Sequence, residues 1–236
     1  MINELLWVLL MVVTFLGILL AYRLFGRVGL YVWIAISIII ANIQVMKTIE
    51  IFGLVTAEGN IIYGTIFLAM DILGENHGKK AAYKGVAIGF FTLIVITVLV
   101  QLTLQFVPHE SDTLSPALES VFGFLPRIAF ASIVAYFLSQ TLNIAIFHRI
   151  KKATKGKMIW LRNNASTMIS QLLDNVIFTY LAFVGLFGLF GWEQIFGWSI
   201  VMQIFITSLI MKYIVALCDT PFIYWAKKLK KEAGSY

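Results

Sequence analysis

Charged residues break this chain into seven apolar runs, at about 5–22, 29–46, 60–74, 85–107, 124–147, 163–190 and 198–217. A helix crosses the hydrocarbon core of a bilayer in about 20 apolar residues. Most of the runs reach or approach that length, and the third is short. Charged side chains make up 13% of the sequence, against about 25% for a water-soluble domain, which excludes an ordinary soluble enzyme. The pattern predicts an all-α, polytopic integral membrane bundle, and 236 residues leave no room for a separate soluble domain. The first run has no basic residue ahead of it and no small-residue cleavage pattern behind it, so it reads as a retained helix rather than a secretion signal.

Orientation follows from Lys and Arg in the short loops, because positive charge stays on the cytoplasmic side. If all seven runs cross, one side receives Arg23 and Arg27, Lys79, Lys80 and Lys84, the six basic residues from Arg149 to Arg162, and Lys227, Lys228, Lys230 and Lys231. The other side receives Lys47. This predicts an outer N-terminus and a cytoplasmic C-terminus. The net charge of +6 is then a cytoplasmic rim lying against anionic lipid, and no nucleic-acid partner is needed to explain it.

Three charged residues fall well inside apolar runs: Asp71, Asp174 and Lys212. Each costs about 2.5–3.5 kcal/mol at the bilayer centre unless it pairs, protonates or faces water. Counted from the starts of their runs, Asp71 and Asp174 both lie about 16 Å deep, and Lys212 is placed to reach either. Two runs also share a nine-residue pattern, S-Q-x-L-N/D-x-x-I-F, at 139–147 and 170–178. Ser132, Tyr136, Gln140 and Asn143 recur at helical spacing on one run, and Thr167, Gln171, Asp174 and Phe178 on the next. Hydroxyls in such stripes commonly glue helices together. A carboxylate and three carboxamides at one level exceed what helix association requires, so Gln140, Asn143, Gln171 and Asp174 read as a solute site. Asn42 and Gln44 either join that group or cap a helix. Lys47, Glu50 and Glu75 read as solvated at the interfaces, with Glu75, one turn from Asp71, a weaker option for a proton relay.

Other chemistry is absent. No phosphate-binding glycine loop, H-E-x-x-H or nucleophile elbow occurs, so the chain itself is no ATPase or zinc protease. Nothing flanking Asp71 and Asp174 supports an intramembrane protease. The single cysteine, Cys218, closes no internal disulfide, and His77, His109 and His148 lack metal-ligand spacing. No cofactor is expected. Gly185, Gly188 and Gly191 read as packing or helix-ending residues, and most Trp and Tyr as interfacial belts.

Several stretches together resemble the queuosine precursor transporters, the vitamin uptake transporter family. They are Ala41-Asn42-Ile43-Gln44 with Lys47 and Phe52-Gly53, then Ile66 to Glu75 with Gly78-Lys79-Lys80. Arg127-Ile128-Ala129 with Ser132, Tyr136 and Gln140 follows, and then Trp160-Leu161-Arg162-Asn163-Asn164-Ala165-Ser166-Thr167 leading to Ser170, Gln171 and Asp174. The resemblance covers roughly 30–225. It departs from the family at Gly64, Met70, Asn76-His77 and Asn143, where proline, threonine, an aromatic residue and aspartate are common.

The resemblance implies a six-helix core at 29–225, an added N-terminal transmembrane helix and loop at 1–28 and a basic tail at 226–236. It also implies import of 7-deazaguanine precursors, such as 7-cyano-7-deazaguanine, across a bacterial cytoplasmic membrane. It marks Asn42, Asp71, Arg127, Gln140, Trp160, Asp174 and Lys212 as positions where the family's polar or aromatic residues stand. The polar residues suit such a solute. A carboxylate accepts both donors of a guanine edge, and an amide or lysine supplies the donor to its carbonyl. The expected assignment puts Asp174 on the donors, Gln140, Asn143 and Gln171 around the ring, Lys212 at the carbonyl, and Phe147, Phe178 or Trp160 on its face. Asp71 is the expected coupling acid. A binding subunit of an energised uptake complex and a non-transporting scaffold remain the alternatives, and a homodimer or an energising partner is left open.

Overall fold

The first two apolar runs form one continuous element folded back on itself. In the computed structural model, which describes residues 2–185 and 192–233, helix α1 (Ile2–Gln44) breaks at Gly26, whose φ of 57° and ψ of −139° lie outside the helical region. Glycine reaches that conformation without a Cβ penalty. The two arms then return antiparallel. A Cβ on Gly29 would sit 2.1 Å from the Ala21 carbonyl oxygen, and one on Gly17 would sit 2.5 Å from the Trp33 ring. Arg23 and Arg27 occupy the tip of this hairpin.

Past α1 comes a β-hairpin, β1 (Thr48–Ile51) and β2 (Leu54–Ala57), paired antiparallel with Thr48 opposite Ala57 and Ile51 opposite Leu54. Its two-residue turn holds both Phe52 and Gly53 at positive φ, 53° and 73°. That is the demand of a tight hairpin whose twist matches its strands. The Asn3 amide donates to the Glu50 carbonyl at 2.9 Å, and the Thr207 hydroxyl to the Val55 carbonyl at 2.8 Å. These bonds tie the hairpin to the first arm of α1 and to α7.

Helix α2 (Asn60–Asn76) is the short third run and forms the axis of the bundle. It packs against α1, α3, α5 and α7, and nearly every side chain from Ile61 to Gly74 is buried. Surrounded by protein, a helix of about 25 Å by its rise need not match the bilayer thickness. Helices α3 (Lys79–Thr103), α4 (Ser115–Phe122), α5 (Leu125–Ala153), α6 (Ile159–Thr179) and α7 (Trp198–Ala233) complete the chain. Asp112 caps α4 by accepting the Ser115 hydroxyl and the amides of Leu114 and Ser115, which holds its carboxyl below the usual carboxylate range.

Among the described residues, the chain runs seven times between two ends of the bundle. The β-hairpin stands at one end, and the other, basic, end carries Arg23, Arg27, Lys79, Lys151, Arg162 and Lys227. Five of the helices are long and apolar enough to cross a membrane, α1 counting once. Their outer faces expose Leu9, Leu16, Leu20, Phe91, Leu99, Phe137, Ile206 and Ile210. Water would not tolerate so continuous an apolar belt. The chain is an all-α polytopic membrane protein.

The apolar run expected to reach Phe190 ends differently. Helix α6 starts at Ile159 and passes into a π-helical turn (Tyr180–Val184), closed by the Gly185 amide on the Tyr180 carbonyl. Phe190, Gly188 and Gly191 lie outside the described residues, as do residues 234–236 of the tail. Helix α7 continues through Pro221, beyond the apolar run that ends at 217.

Candidate functional site

Two polar levels lie one above the other inside the bundle. The upper one adjoins the β-hairpin. A pocket of about 520 Å³, its mouth included, is lined there by Asn42, Tyr63, Asp174, Phe178, Ser208 and Lys212 with apolar neighbours. Asp174 is its centre. One carboxylate oxygen accepts the Tyr63 hydroxyl at 2.5 Å and the Ser139 hydroxyl at 3.1 Å, and the other accepts Lys212 Nζ at 3.0 Å. The Lys212 ammonium also lies 5.2 Å from the centre of the Tyr63 ring, within reach of its quadrupole. Asp174, Tyr63 and Lys212 come from α6, α2 and α7, so the pocket exists only where three helices meet. Asn42 accepts the Ser132 hydroxyl at 2.9 Å and donates to its own helix at the Ile38 carbonyl.

The lower level lies toward the basic end. Asp71 accepts the Asn143 amide and the Thr167 hydroxyl, each at 3.0 Å. Between the levels, Gln140 and Gln171 are fully buried, and neither amide has a hydrogen-bond partner among the described residues. The repeated pattern meets itself across the antiparallel pair of α5 and α6. Ser139 donates to Asp174, whereas the reciprocal atoms, the Ser170 hydroxyl and the Asn143 carbonyl, are both buried and unpaired.

Of the seven side chains expected to bind the solute, Asn42, Asp174 and Lys212 line the pocket, and Asp71, Gln140, Asn143 and Gln171 do not. The acids do not share one depth. Tyr63, bonded to Asp174, precedes Asp71 by eight residues of α2, about 12 Å of rise. Two shifts add up: α6 begins at Ile159, a turn earlier than its apolar run, which carries Asp174 toward the hairpin end, and Asp71 lies five residues from the basic end of the short α2. Lys212 accordingly reaches Asp174 alone. Among the aromatic candidates, Phe178 lines the pocket, Phe147 lies under the Arg162 guanidinium at 5.4 Å, and Trp160 is exposed at the basic end. Arg127 donates to the Glu193 carbonyl at 2.8 Å and holds that loop.

Glu75 corrects the expectation of a solvated residue. Its side chain is 4% exposed and pairs with Lys151 at 2.9 Å, Lys227 at 2.8 Å and the fully buried Arg162. It joins α2 to α5, α6 and α7 and closes the basic end. Tyr63 and Asp219 are further polar residues that sequence reasoning passed over. Tyr63 read as an interfacial aromatic, though its place one turn inside the short helix was a signal. Asp219 lay past the last apolar run, beside a proline that usually ends a helix.

A sequence profile for the family described as "Putative vitamin uptake transporter" matches residues 57–226. The chain belongs to the vitamin uptake transporter family. Among curated relatives in this family, a Bacillus subtilis (strain 168) protein named "Probable queuosine precursor transporter" is 41% identical over 230 residues, covering 97% of this chain and 96% of the relative. The "Queuosine precursor transporter" of Escherichia coli (strain K12) is 26% identical over 144 residues, 61% of this chain and 62% of that protein. A Haemophilus influenzae (strain ATCC 51907 / DSM 11121 / KW20 / Rd) protein, also named "Probable queuosine precursor transporter", is 24% identical over 135 residues, 56% of this chain and 54% of its own. No solved structure matches the chain at a significant level. These three relatives are named as transporters, and the chain is not an enzyme.

Proposed function

We propose that this chain imports queuosine precursors of the 7-deazaguanine type across the bacterial cytoplasmic membrane, with its β-hairpin end outside and its basic end in the cytoplasm. The names of its relatives support the solute class, and the loop charges support the orientation. The observation that carries the reading is the buried Asp174–Lys212 pair in a pocket otherwise mostly apolar. A buried charged pair is retained at a desolvation cost, and a flat heterocycle with donors and an acceptor on one edge would use both partners. The carboxylate of Asp174 receives the ring N–H and exocyclic NH2, Lys212 donates to the carbonyl oxygen, and Phe178 packs against the ring. Tyr63 and Ser139 hold the carboxylate in place before the solute arrives. Gln140 and Gln171 supply unpaired amides, and Asn143 an unpaired carbonyl oxygen, on the way to the basic end. Asp71 serves as the coupling acid, since its charge must be neutralised somewhere in the cycle.

The test is calorimetric or thermal-shift binding of 7-cyano-7-deazaguanine, 7-aminomethyl-7-deazaguanine, queuine and guanine to detergent-purified protein and to Asp174→Asn. Binding of a deazaguanine that weakens at least tenfold, about 1.4 kcal/mol, in Asp174→Asn is the expected result. Indifference to all four solutes overturns the solute assignment. In liposomes, uptake by Asp71→Asn is expected to lose its pH dependence, and an unchanged profile removes the coupling role.

A further inference from the structure

The lower polar level holds a second acid. Asp219 of α7 is 1% exposed and accepts the Asn163 amide at 2.8 Å. Asn163 and Thr167 stand four residues apart on α6, so the two acids they hold, Asp219 and Asp71, dock on successive turns of one helix face. The charge of Asp71 acts on Asp219.

Neither acid has an ion-pair partner among the described residues. Asp174 is matched by Lys212, and Glu75 by Lys151, Arg162 and Lys227. Arg162 bonds Glu75 and the carbonyls of Gly156 and Lys157 through its two terminal nitrogens, and its buried Nε has no hydrogen-bond partner among the described residues. Its through-space attraction for Asp71 favours one negative charge, not two. Hydrogen bonding is lopsided in the same sense. Asn143 and Asn163 each give their amide N–H to one acid, and their carbonyl oxygens, with the second oxygen of Asp219, are buried acceptors that no donor meets. Three such acceptors beside two uncompensated carboxylates mark a place short of a proton, because an unpaired buried charge is far costlier than a neutral, hydrogen-bonded acid.

We propose that Asp71 and Asp219 form one proton-binding acid pair that holds a single proton, the missing donor. This extends the coupling role proposed for Asp71 and rests on that reading. The proton comes from bulk water and returns to it, and only an O–H bond forms and breaks. Two buried carboxylates held on neighbouring turns with no cation of their own resist double ionisation, so protonation of the pair is a two-state element. The other titratable or charged groups facing it are Glu75 on α2, His148 and Lys151 on α5, Arg162 on α6, and Cys218 and Lys227 on α7, with the Asp174–Lys212 pair above.

The test uses the full-length, detergent-purified protein without solute, so it reads separately from the solute assignment. Melting is followed at about pH 5.5 and about pH 8, in sodium chloride and in choline chloride, for the wild type, Asp71→Asn and Asp219→Asn. The expected wild type melts several degrees higher at the acid pH, because the neutral pair then persists, and sodium changes nothing. Each variant, already neutral at one position, is expected to lose most of that difference and to melt higher than wild type at the alkaline pH. Should Asp219→Asn fail to fold, Asn163→Ala removes the donor that favours the ionised Asp219 and is expected to extend the stabilisation to higher pH. A wild-type melting temperature indifferent to pH, a full acid response retained in Asp219→Asn, or stabilisation by sodium in place of acid overturns the proposal.

Discussion

Individual side chains act here through who shares their depth. Tyr63 and Lys212 are ordinary until they meet at Asp174, and Glu75 matters because three cations from three helices converge on it. Replacing Glu75 with Gln keeps its shape and leaves Arg162 buried without its counter-charge. Breaking a buried pair costs about 3–5 kcal/mol, and the partial exposure of Lys151 and Lys227 lets both recover hydration, so about 3 kcal/mol is expected. A melting temperature lowered by several degrees, with Lys228→Gln as a neutral surface control, is the measurement. An unchanged melting temperature would mean that the hub does not hold the basic end together. Legibility differed among residues. Asp71, Asp174 and Lys212 stood out because a charge in an apolar run is costly wherever it points. Glu75 and Asp219 did not, because each lies at the margin of a run, where a solvated charge is equally good.

At the level of elements, hydropathy read the helices well and their joints poorly. The long runs became α1, α3, α5, α6 and α7, and the short one became α2. The β-hairpin went unread because its strands are four residues each and its turn, Phe52-Gly53, lacks the Asn-Gly signature of such turns. The fold-back within α1 shows how tightly one joint is set. Because the atom that a Cβ on Gly29 would strike is the Ala21 backbone carbonyl at 2.1 Å, no rotamer change relieves the clash. Gly29→Ala is expected to force the two arms apart and cost at least the 1–3 kcal/mol or so of overpacking. Gly197→Ala meets nothing within 4 Å and serves as the silent comparison. Equal melting of the two variants would refute the tight hairpin.

The whole molecule is a bundle with unlike ends: a strapped pocket at one, a buried electrostatic hub at the other. A seven-pass arrangement predicts that the two ends of the chain lie on opposite faces. In a Cys218→Ser background, Asn3→Cys is expected to react with a membrane-impermeant maleimide in intact cells, and Lys228→Cys only after permeabilisation. Labelling of both positions in intact cells would contradict the seven-pass arrangement.

What the sequence determined by itself was the solvent, the helical class, the rough span of the long apolar helices, an expected orientation and the family likeness. All of these depend on side-chain type averaged along the chain, and transfer free energy is additive enough for a single strand of text to carry it. What only the tertiary structure decided was which polar groups meet. Helix register sets that: one extra turn at the start of α6, about 5 Å of rise, moved Asp174 toward Tyr63 and Lys212, and the short α2 put Asp71 five residues from its basic end. It left Asp71 beside Asp219, a neighbour that no spacing along the chain announced, because the two residues meet only where α6 brings α2 and α7 together.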